Sequence, residues 1–253
     1  MGLTNVVATF GNSLPARIGL PLRSRIGPRR EPELALVAQF VRPGSVVVDV
    51  GANRGVYTYF MSRAVGPRGR VLAYEPQPDL AAYVQTGMAR AHNVTVRPVA
   101  LGEQLGTAEL TIPSREGRPE PGWATLRANV GPGRKAVVDV TTLDDELPDD
   151  DVSFMKIDVE GFELQVIQGA RKLLQRTRPV VLLEIEYLWS GDSATGTLGV
   201  FEDLGYSVWA VDVQHANSLL QIPWRELEPV QSMNEVIAGQ RTYNFLFRPH
   251  EDQ

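Results

Sequence analysis

Acidic side chains stand at or just after the ends of four apolar segments of the chain: Asp49, Glu75, Asp158, and Glu184 with Glu186. Such segments are typical of buried strands in a parallel sheet, and the carboxyl ends of those strands meet at one edge. A carboxylate at that edge can accept hydrogen bonds from ribose hydroxyls, take a proton from a reacting group or bind a hard divalent cation. We therefore look for the group that activates a nucleophile among Asp158, Glu160, Glu184, Glu186 and His215.

A glycine turn, residues 51–55, lies between Asp49 and an apolar helix start. A strand, a glycine turn and a helix start are typical of the first unit of a nucleotide-binding sheet. Glu75 follows the turn by roughly twenty residues, the spacing at which an acid hydrogen-bonds ribose. Dinucleotide sites need a second close-approach glycine where this chain has Asn53. A nicotinamide-dependent oxidoreductase is therefore the less favoured interpretation.

The elements that must position these residues alternate between strand and helix. The pattern predicts strands over Val46–Val50, Arg70–Glu75, Val94–Arg97, Val152–Asp158, Pro179–Glu186 and Tyr206–Val211, with Tyr243–Phe247 as a last edge strand. It predicts helices over Glu31–Phe40, from Val56, from a capping Asp79 to about Arg90, over Phe162–Gln175 and over Thr197–Leu204. This alternation indicates an α/β fold with a parallel sheet and right-handed crossovers.

Two stretches depart from the alternation. Thr107–Ile112 and Ala136–Thr141 alternate apolar and polar residues, which predicts an antiparallel excursion around the glycine-, proline- and arginine-rich Pro113–Lys135. Residues 1–40 form an arginine-rich arm and a helix, which we interpret as a solvated arm or as a lid or substrate cap over the domain at 41–253. We expect acceptor choice to depend on these segments and on residues 187–195 and 213–240.

Composition excludes several classes of function. The 253-residue chain has no cysteine and three histidines, which excludes disulfides and thiolate zinc sites and argues against a multi-histidine metal site. A net charge of -5 argues against nucleic acid as a partner. No apolar run approaches the ~20 residues of a membrane span, and no signal peptide pattern opens the chain. We predict a cytoplasmic protein; the sequence does not fix its oligomeric state, and a homodimer is one option.

The segment Lys156-Ile157-Asp158-Val159-Glu160-Gly161-Phe162-Glu163 resembles the K-I-D-V-E-G-x-E signature of the FkbM family of S-adenosylmethionine-dependent methyltransferases. The resemblance extends to Tyr74-Glu75-Pro76, Thr142–Asp145, Leu183–Glu186 and Asn244–Phe247, and so covers about Val41 to Phe247. The turn also resembles the D-x-G-x-N-x-G motif of class I methyltransferases. The resemblance implies a Rossmann-like, mostly parallel seven-stranded sheet with helices on both faces and an antiparallel terminal strand.

The resemblance also assigns roles residue by residue. Gly51, Ala52, Asn53 and Gly55 should hold the methionine part of S-adenosylmethionine, Glu75 the ribose, and Ala100 and Leu101 the adenine. Asp49 should belong to the same cofactor site. Asp158 should lie beside the amino-acid group and the reacting methyl. Lys156 is expected to pair with a strand-end acid, because a buried lysine needs a partner.

The implied reaction is O-methylation of a hydroxyl on a sugar-bearing natural product, glycan or related small molecule. In one version a carboxylate or His215 removes the hydroxyl proton; in the other, Asp158 with Glu184 or Glu186 binds Mg²⁺. The alternative from a different class is a regulatory subunit that binds S-adenosylmethionine without turnover.

Overall fold

The computed structural model describes residues 33–115, 118–127, 130–185, 196–211, 219–222 and 243–250. Glu186, His215 and the arm before residue 33 lie outside these ranges. Within the described residues, no helix combines the length and the apolar character needed to cross a bilayer.

Twelve strands and seven helices make up the described part of the chain. The strands are β1 Val46–Val50, β2 Arg70–Tyr74, β3 Val94–Arg97, β4 Ala100–Leu101, β5 Gly106–Arg115, β6 Arg118–Pro119, β7 Gly133–Thr141, β8 Val152–Ile157, β9 Val180–Ile185, β10 Tyr206–Val211, β11 Leu219–Ile222 and β12 Tyr243–Pro249. The helices are α1 Leu34–Phe40, α2 Val56–Val65, α3 Pro78–Gly87, α4 Leu143–Glu146, α5 Glu163–Gln168, α6 Arg171–Thr177 and α7 at 196–203, with a 3₁₀ turn at Pro121–Trp123.

The main sheet has the strand order β11-β10-β12-β9-β8-β1-β2-β3. Strands β3, β2, β1, β8 and β9 are parallel, whereas β12 runs antiparallel to both β9 and β10. The seven predicted strands and the antiparallel terminal strand are confirmed, and β11 adds a hairpin partner to β10. Chain order reverses between β1 and β8, and open α/β sheets bind their ligands at such a switch point.

Helices cover both faces of this sheet, as predicted. On one face, Val37 of α1 and Met61 of α2 pack with Val47 of β1. On the other face, Ile167 of α5 and Leu173 of α6 belong to a second buried cluster. The central strands are thus buried on both sides, which explains their continuous runs of apolar residues.

The antiparallel excursion is confirmed as a second sheet of order β4-β7-β5-β6. Strands β5 and β7 pair antiparallel from Gly106 with Val140 to Pro113 with Gly133. Between the two long strands, the described residues of Pro113–Lys135 include β6, the 3₁₀ turn and Thr125, which forms a bridge with Thr111.

Three local predictions were wrong. Strand β12 is not an edge strand, because it pairs with both β9 and β10 and buries Phe245 and Phe247. Helix α3 is preceded by Gln77 as its N-cap residue, so Asp79 lies inside the first turn. The helix predicted over Phe162–Gln175 is two helices, α5 and α6. They separate at Gly169, where a side chain would collide with the carbonyl oxygen of Gly102.

Candidate functional site

The glycine turn after β1 is fixed to two neighbouring strand ends. The backbone N–H groups of Gly51 and Ala52 both donate to the carbonyl of Tyr74, at 2.9 and 3.0 Å. Gly51 has φ of +76°, and a side chain there would collide with the carbonyl oxygen of Asp158. Only glycine meets both conditions. The turn therefore holds the ends of β1, β2 and β8 close together.

Glu75 projects from the end of β2 into this turn. Its two carboxylate oxygens accept hydrogen bonds from the backbone N–H groups of Asn53, at 2.7 Å, and Gln77, at 2.9 Å. Burial raises the pKa of Glu75 to about 7, although both hydrogen bonds act to lower it. Each oxygen keeps a lone pair for a further donor, so the carboxylate is positioned and still able to bind a ligand.

The loops that follow β1, β2, β3 and β8 surround a cavity that opens to solvent and has about 580 Å³ of empty space when the open part is included. Six of the residues predicted to bind the cofactor line it: Gly51, Asn53, Glu75, Ala100, Leu101 and Asp158. Apolar side chains complete the wall, among them Val99, Leu110 and Phe162. The cavity lies at the switch point of the sheet, where open α/β sheets bind their ligands.

Asp49, Ala52 and Gly55 do not line the cavity. The Asp49 carboxylate is 1% exposed and accepts a hydrogen bond from the Thr58 hydroxyl at 2.5 Å. Burial raises the pKa of Asp49 to about 6. Asp49 therefore joins β1 to helix α2, while Gly55, with φ of +75°, is the N-cap residue of that helix.

Lys156 lies between two of the strand-end acids. Its ammonium is 3.2 Å from Asp158 Oδ2 and 3.7 Å from Glu184 Oε2, and it lies over the Tyr57 ring at 5.1 Å from the centroid. Burial acts to lower the pKa of Lys156, but the carboxylates of Asp158, Glu184 and Asp49 raise it above its ordinary value. The predicted ion pair is confirmed, and the side chain stays charged.

A metal at these acids would compete with that ammonium. Among the residues that the structure describes, no three histidine, aspartate or glutamate side chains form a group that could hold a metal ion. The cation that lies between Asp158 and Glu184 is Lys156.

The turn after β8 presents Asp158 to the cavity. Glu160 and Gly161 both have positive φ, +53° and +91°, and Glu160 lines the cavity. Positive φ is uncommon for a non-glycine residue and often marks functional sites. The buried Glu163 carboxylate accepts a hydrogen bond from the Gly161 N–H at 2.8 Å, and burial raises its pKa to about 7. Glu163 therefore braces this turn at the start of α5.

Four polar residues near these loops had no predicted role in the site. The Gln77 side chain donates to the carbonyl of Pro121 at 2.9 Å, and the Thr125 hydroxyl donates to the carbonyl of Glu160 at 2.7 Å. Next to α1, the Asn244 amide donates to Glu33 at 2.8 Å. Asn244 is opposite Glu184 in the β12–β9 pair, and the family resemblance over Asn244–Phe247 had already marked this strand.

The sheet order, with a cavity at its switch point, is that of the class I methyltransferase fold, and comparison with known proteins agrees. The family model for the methyltransferase FkbM domain matches residues 49–208, more than half of the chain. The chain belongs to the FkbM methyltransferase family. A structure of methyltransferase FkbM from Methylobacillus flagellatus KT aligns with a TM-score of 0.51 at 18% identity, over 96% of this chain and 58% of that one.

Two curated relatives match a smaller share of this chain than the FkbM structure does. Methyltransferase 1 of Beauveria bassiana is 30% identical over 150 residues, which are 49% of this chain and 58% of that protein. The tRNA (adenine(57)-N(1)/adenine(58)-N(1))-methyltransferase TrmI of Methanocaldococcus jannaschii is 27% identical over 153 residues, 58% of this chain and 47% of that protein. The chain thus spans about half to three fifths of the length of these relatives.

Proposed function

We propose that this chain transfers the methyl group of S-adenosylmethionine to a hydroxyl oxygen of a sugar-bearing natural product, glycan or related small molecule in the cytoplasm. The observation that supports it is the cavity shared by the glycine turn, the Glu75 carboxylate, the Ala100–Leu101 pair and Asp158. Glu75 suits ribose because its oxygens each accept one backbone hydrogen bond and keep capacity for a hydroxyl. The apolar wall near Leu101 suits a purine ring.

The bound cofactor supplies an electrophilic methyl group on a sulfonium. The protein must then hold the acceptor hydroxyl in line with that methyl, because correct positioning removes much of the entropic barrier. Asp158 is the favoured proton acceptor, since it lines the cavity and its carboxylate lies 3.2 Å from the Lys156 ammonium. Glu184 is the second candidate, because it shares the same ammonium. The charge of Lys156 offsets that of both carboxylates.

Direct proton transfer is favoured over the Mg²⁺ version. The Lys156 ammonium already lies within 4 Å of both proposed ligands, Asp158 and Glu184, so a divalent ion there would have to displace a buried cation. We expect methyl transfer to persist in excess EDTA after removal of divalent ions. An activity that is lost with EDTA and restored by Mg²⁺ would favour the metal version.

The name of the Methanocaldococcus relative supports a second candidate, N-methylation of tRNA. The net charge of -5 opposes it, because phosphate contacts supply most of the affinity of proteins for nucleic acid. The hydroxyl acceptor remains the first choice.

The test is methyl transfer from isotopically labelled S-adenosylmethionine to a panel of free sugars, glycosylated small molecules and tRNA. We expect product with the label on oxygen, located by mass spectrometry and NMR. Asp158→Asn should lower the rate by about 10²- to 10⁴-fold, the usual contribution of a general base. Asp139→Asn, at an exposed position of β7, should leave the rate unchanged. Label on nitrogen, or tight cofactor binding without transfer to any acceptor, would contradict the proposal.

A further inference from the structure

Residues 120–127 cross from the second sheet to the cavity; we call them the strap. Four of them, Pro121, Gly122, Ala124 and Leu126, form part of the cavity wall. We infer that the strap closes over the bound cofactor and that Gln77 and Thr125 are positioning residues that latch it. The inference rests on the proposed S-adenosylmethionine site.

The first latch joins the strap to the loop after β2. Gln77 is 5% exposed, and its side-chain N–H donates to the carbonyl of Pro121 at 2.9 Å. Its backbone N–H donates at the same time to the carboxylate of Glu75. One residue therefore both orients the carboxylate proposed to bind ribose and fixes the strap above it.

The second latch joins the strap to the loop after β8. Thr125 is 4% exposed, and its hydroxyl donates to the carbonyl of Glu160 at 2.7 Å and accepts from the backbone N–H of Arg127 at 3.1 Å. Glu160 has the positive φ described above and is two residues from Asp158. The strap is thus tied to both loops that carry the acids of the cavity.

The strap is anchored outside the cavity by backbone hydrogen bonds to β5. Thr125 exchanges two of them with Thr111, at 2.9 and 3.0 Å, and the Glu120 N–H donates to Pro113 at 2.8 Å. Trp123, 51% exposed, belongs to the strap but is not part of the cavity wall. This arrangement gives the antiparallel sheet a role: it carries a wall of the cavity that the Gln77 and Thr125 side chains fasten to the loops after β2 and β8.

Because a hydrogen bond contributes modestly to stability, loss of one latch should speed opening by roughly 5- to 10-fold without unfolding the protein. We would measure the release of S-adenosylhomocysteine from the full chain by stopped-flow competition. Gln77→Met and Thr125→Val remove the donors with little change of shape. Matched controls are Gln175→Met, at an exposed position of α6, and Thr107→Val, at an exposed position of β5.

We expect both latch variants to release S-adenosylhomocysteine about 5- to 10-fold faster, with association unchanged or faster, and both controls to match wild type. Release within twofold of wild type in both latch variants would overturn the strap while leaving the cofactor site intact. Failure of wild type to bind either S-adenosylmethionine or S-adenosylhomocysteine would overturn the strap and the proposed function together.

Hydrogen exchange on the wild-type protein tests the strap without any substitution. The N–H groups of Trp123 and Thr125 are hydrogen-bonded within or beside the strap, to Glu120 and Thr111. We expect S-adenosylhomocysteine to slow exchange across 120–127 more than across 106–109, the far end of β5. Equal exchange in the strap with and without S-adenosylhomocysteine would contradict closure.

Discussion

Replacing Glu75 with glutamine tests the cofactor site at its most specific contact. Both carboxylate oxygens accept backbone hydrogen bonds, from Asn53 and Gln77. An amide offers one acceptor oxygen and one NH₂ group, so one of those buried N–H groups would face another donor. That mismatch should cost about 1–3 kcal/mol of folding free energy.

The same substitution should weaken cofactor binding. Hydrogen bonds to a charged group are worth about 1.5–3 kcal/mol and neutral ones about 0.5–1.5 kcal/mol. Each ribose hydroxyl bound to a neutral amide instead of a carboxylate therefore contributes about 1–1.5 kcal/mol less binding free energy, and two hydroxyls about 2–3 kcal/mol less. The Kd for S-adenosylmethionine should then rise about 30- to 150-fold, as measured by isothermal titration calorimetry. Glu163→Gln is the matched control: burial also raises the pKa of Glu163 to about 7, but Glu163 does not line the cavity.

The wild-type protein should show a matching pH dependence. Because the pKa of Glu75 is raised to about 7, the carboxyl is largely neutral below that pH, and hydroxyl donors bind the ionised form best. Affinity for S-adenosylmethionine should rise with pH up to about 7, and Glu75→Gln should remove this component. Wild-type affinity in Glu75→Gln, or equal weakening in Glu163→Gln, would refute this assignment.

Three further predictions concern stability, measured by denaturant unfolding. Lys156→Met should destabilise the fold by about 3–5 kcal/mol, because it leaves two carboxylates without their buried cation; a loss under about 1 kcal/mol would count against the ion pair. Gly51→Ala should prevent stable folding, whereas Gly44→Ala, which shares a positive φ but has open space around it, should cost about 1 kcal/mol; equal losses would contradict the close approach of the loops. Burial favours the protonated form of Glu163 in the folded protein. This contribution to stability is fully present at pH below 4.5, the pKa of the group in the unfolded chain, and it is lost as pH rises through the folded-state pKa of about 7. Wild-type stability relative to Glu163→Gln should therefore fall by up to about 3 kcal/mol over that interval, and a constant difference would contradict it.

Local sequence signals were sufficient for the parts of the site that lie at strand ends. Alternation of strands and helices forces those ends to one edge, so Glu75 and Asp158 could be placed together before the structure was known. The Ala100–Leu101 pair was assigned to the same site by the family resemblance. Asp49 has the same local signal. Its carboxylate is directed to Thr58 instead, because orientation depends on how α2 packs against β1.

Sequence patterns could not predict the contacts between segments that are distant in the chain. The Gln77–Pro121 hydrogen bond joins residues 44 apart, and the Asn244–Glu33 bond joins residues 211 apart. Alternation predicted the antiparallel excursion, but nothing local indicated that its strap would form a wall of the cavity. The sequence predicted that Lys156 pairs with a strand-end acid, but it did not predict that the ammonium lies between Asp158 and Glu184.

The most direct test of the account is a crystal structure of the full chain with S-adenosylhomocysteine bound. We predict that the ribose hydroxyls lie within hydrogen-bond distance of the Glu75 carboxylate, with the adenine beside Ala100 and Leu101 and the sulfur towards Asp158. S-adenosylhomocysteine bound elsewhere, or in this cavity with its ribose away from Glu75, would contradict the account.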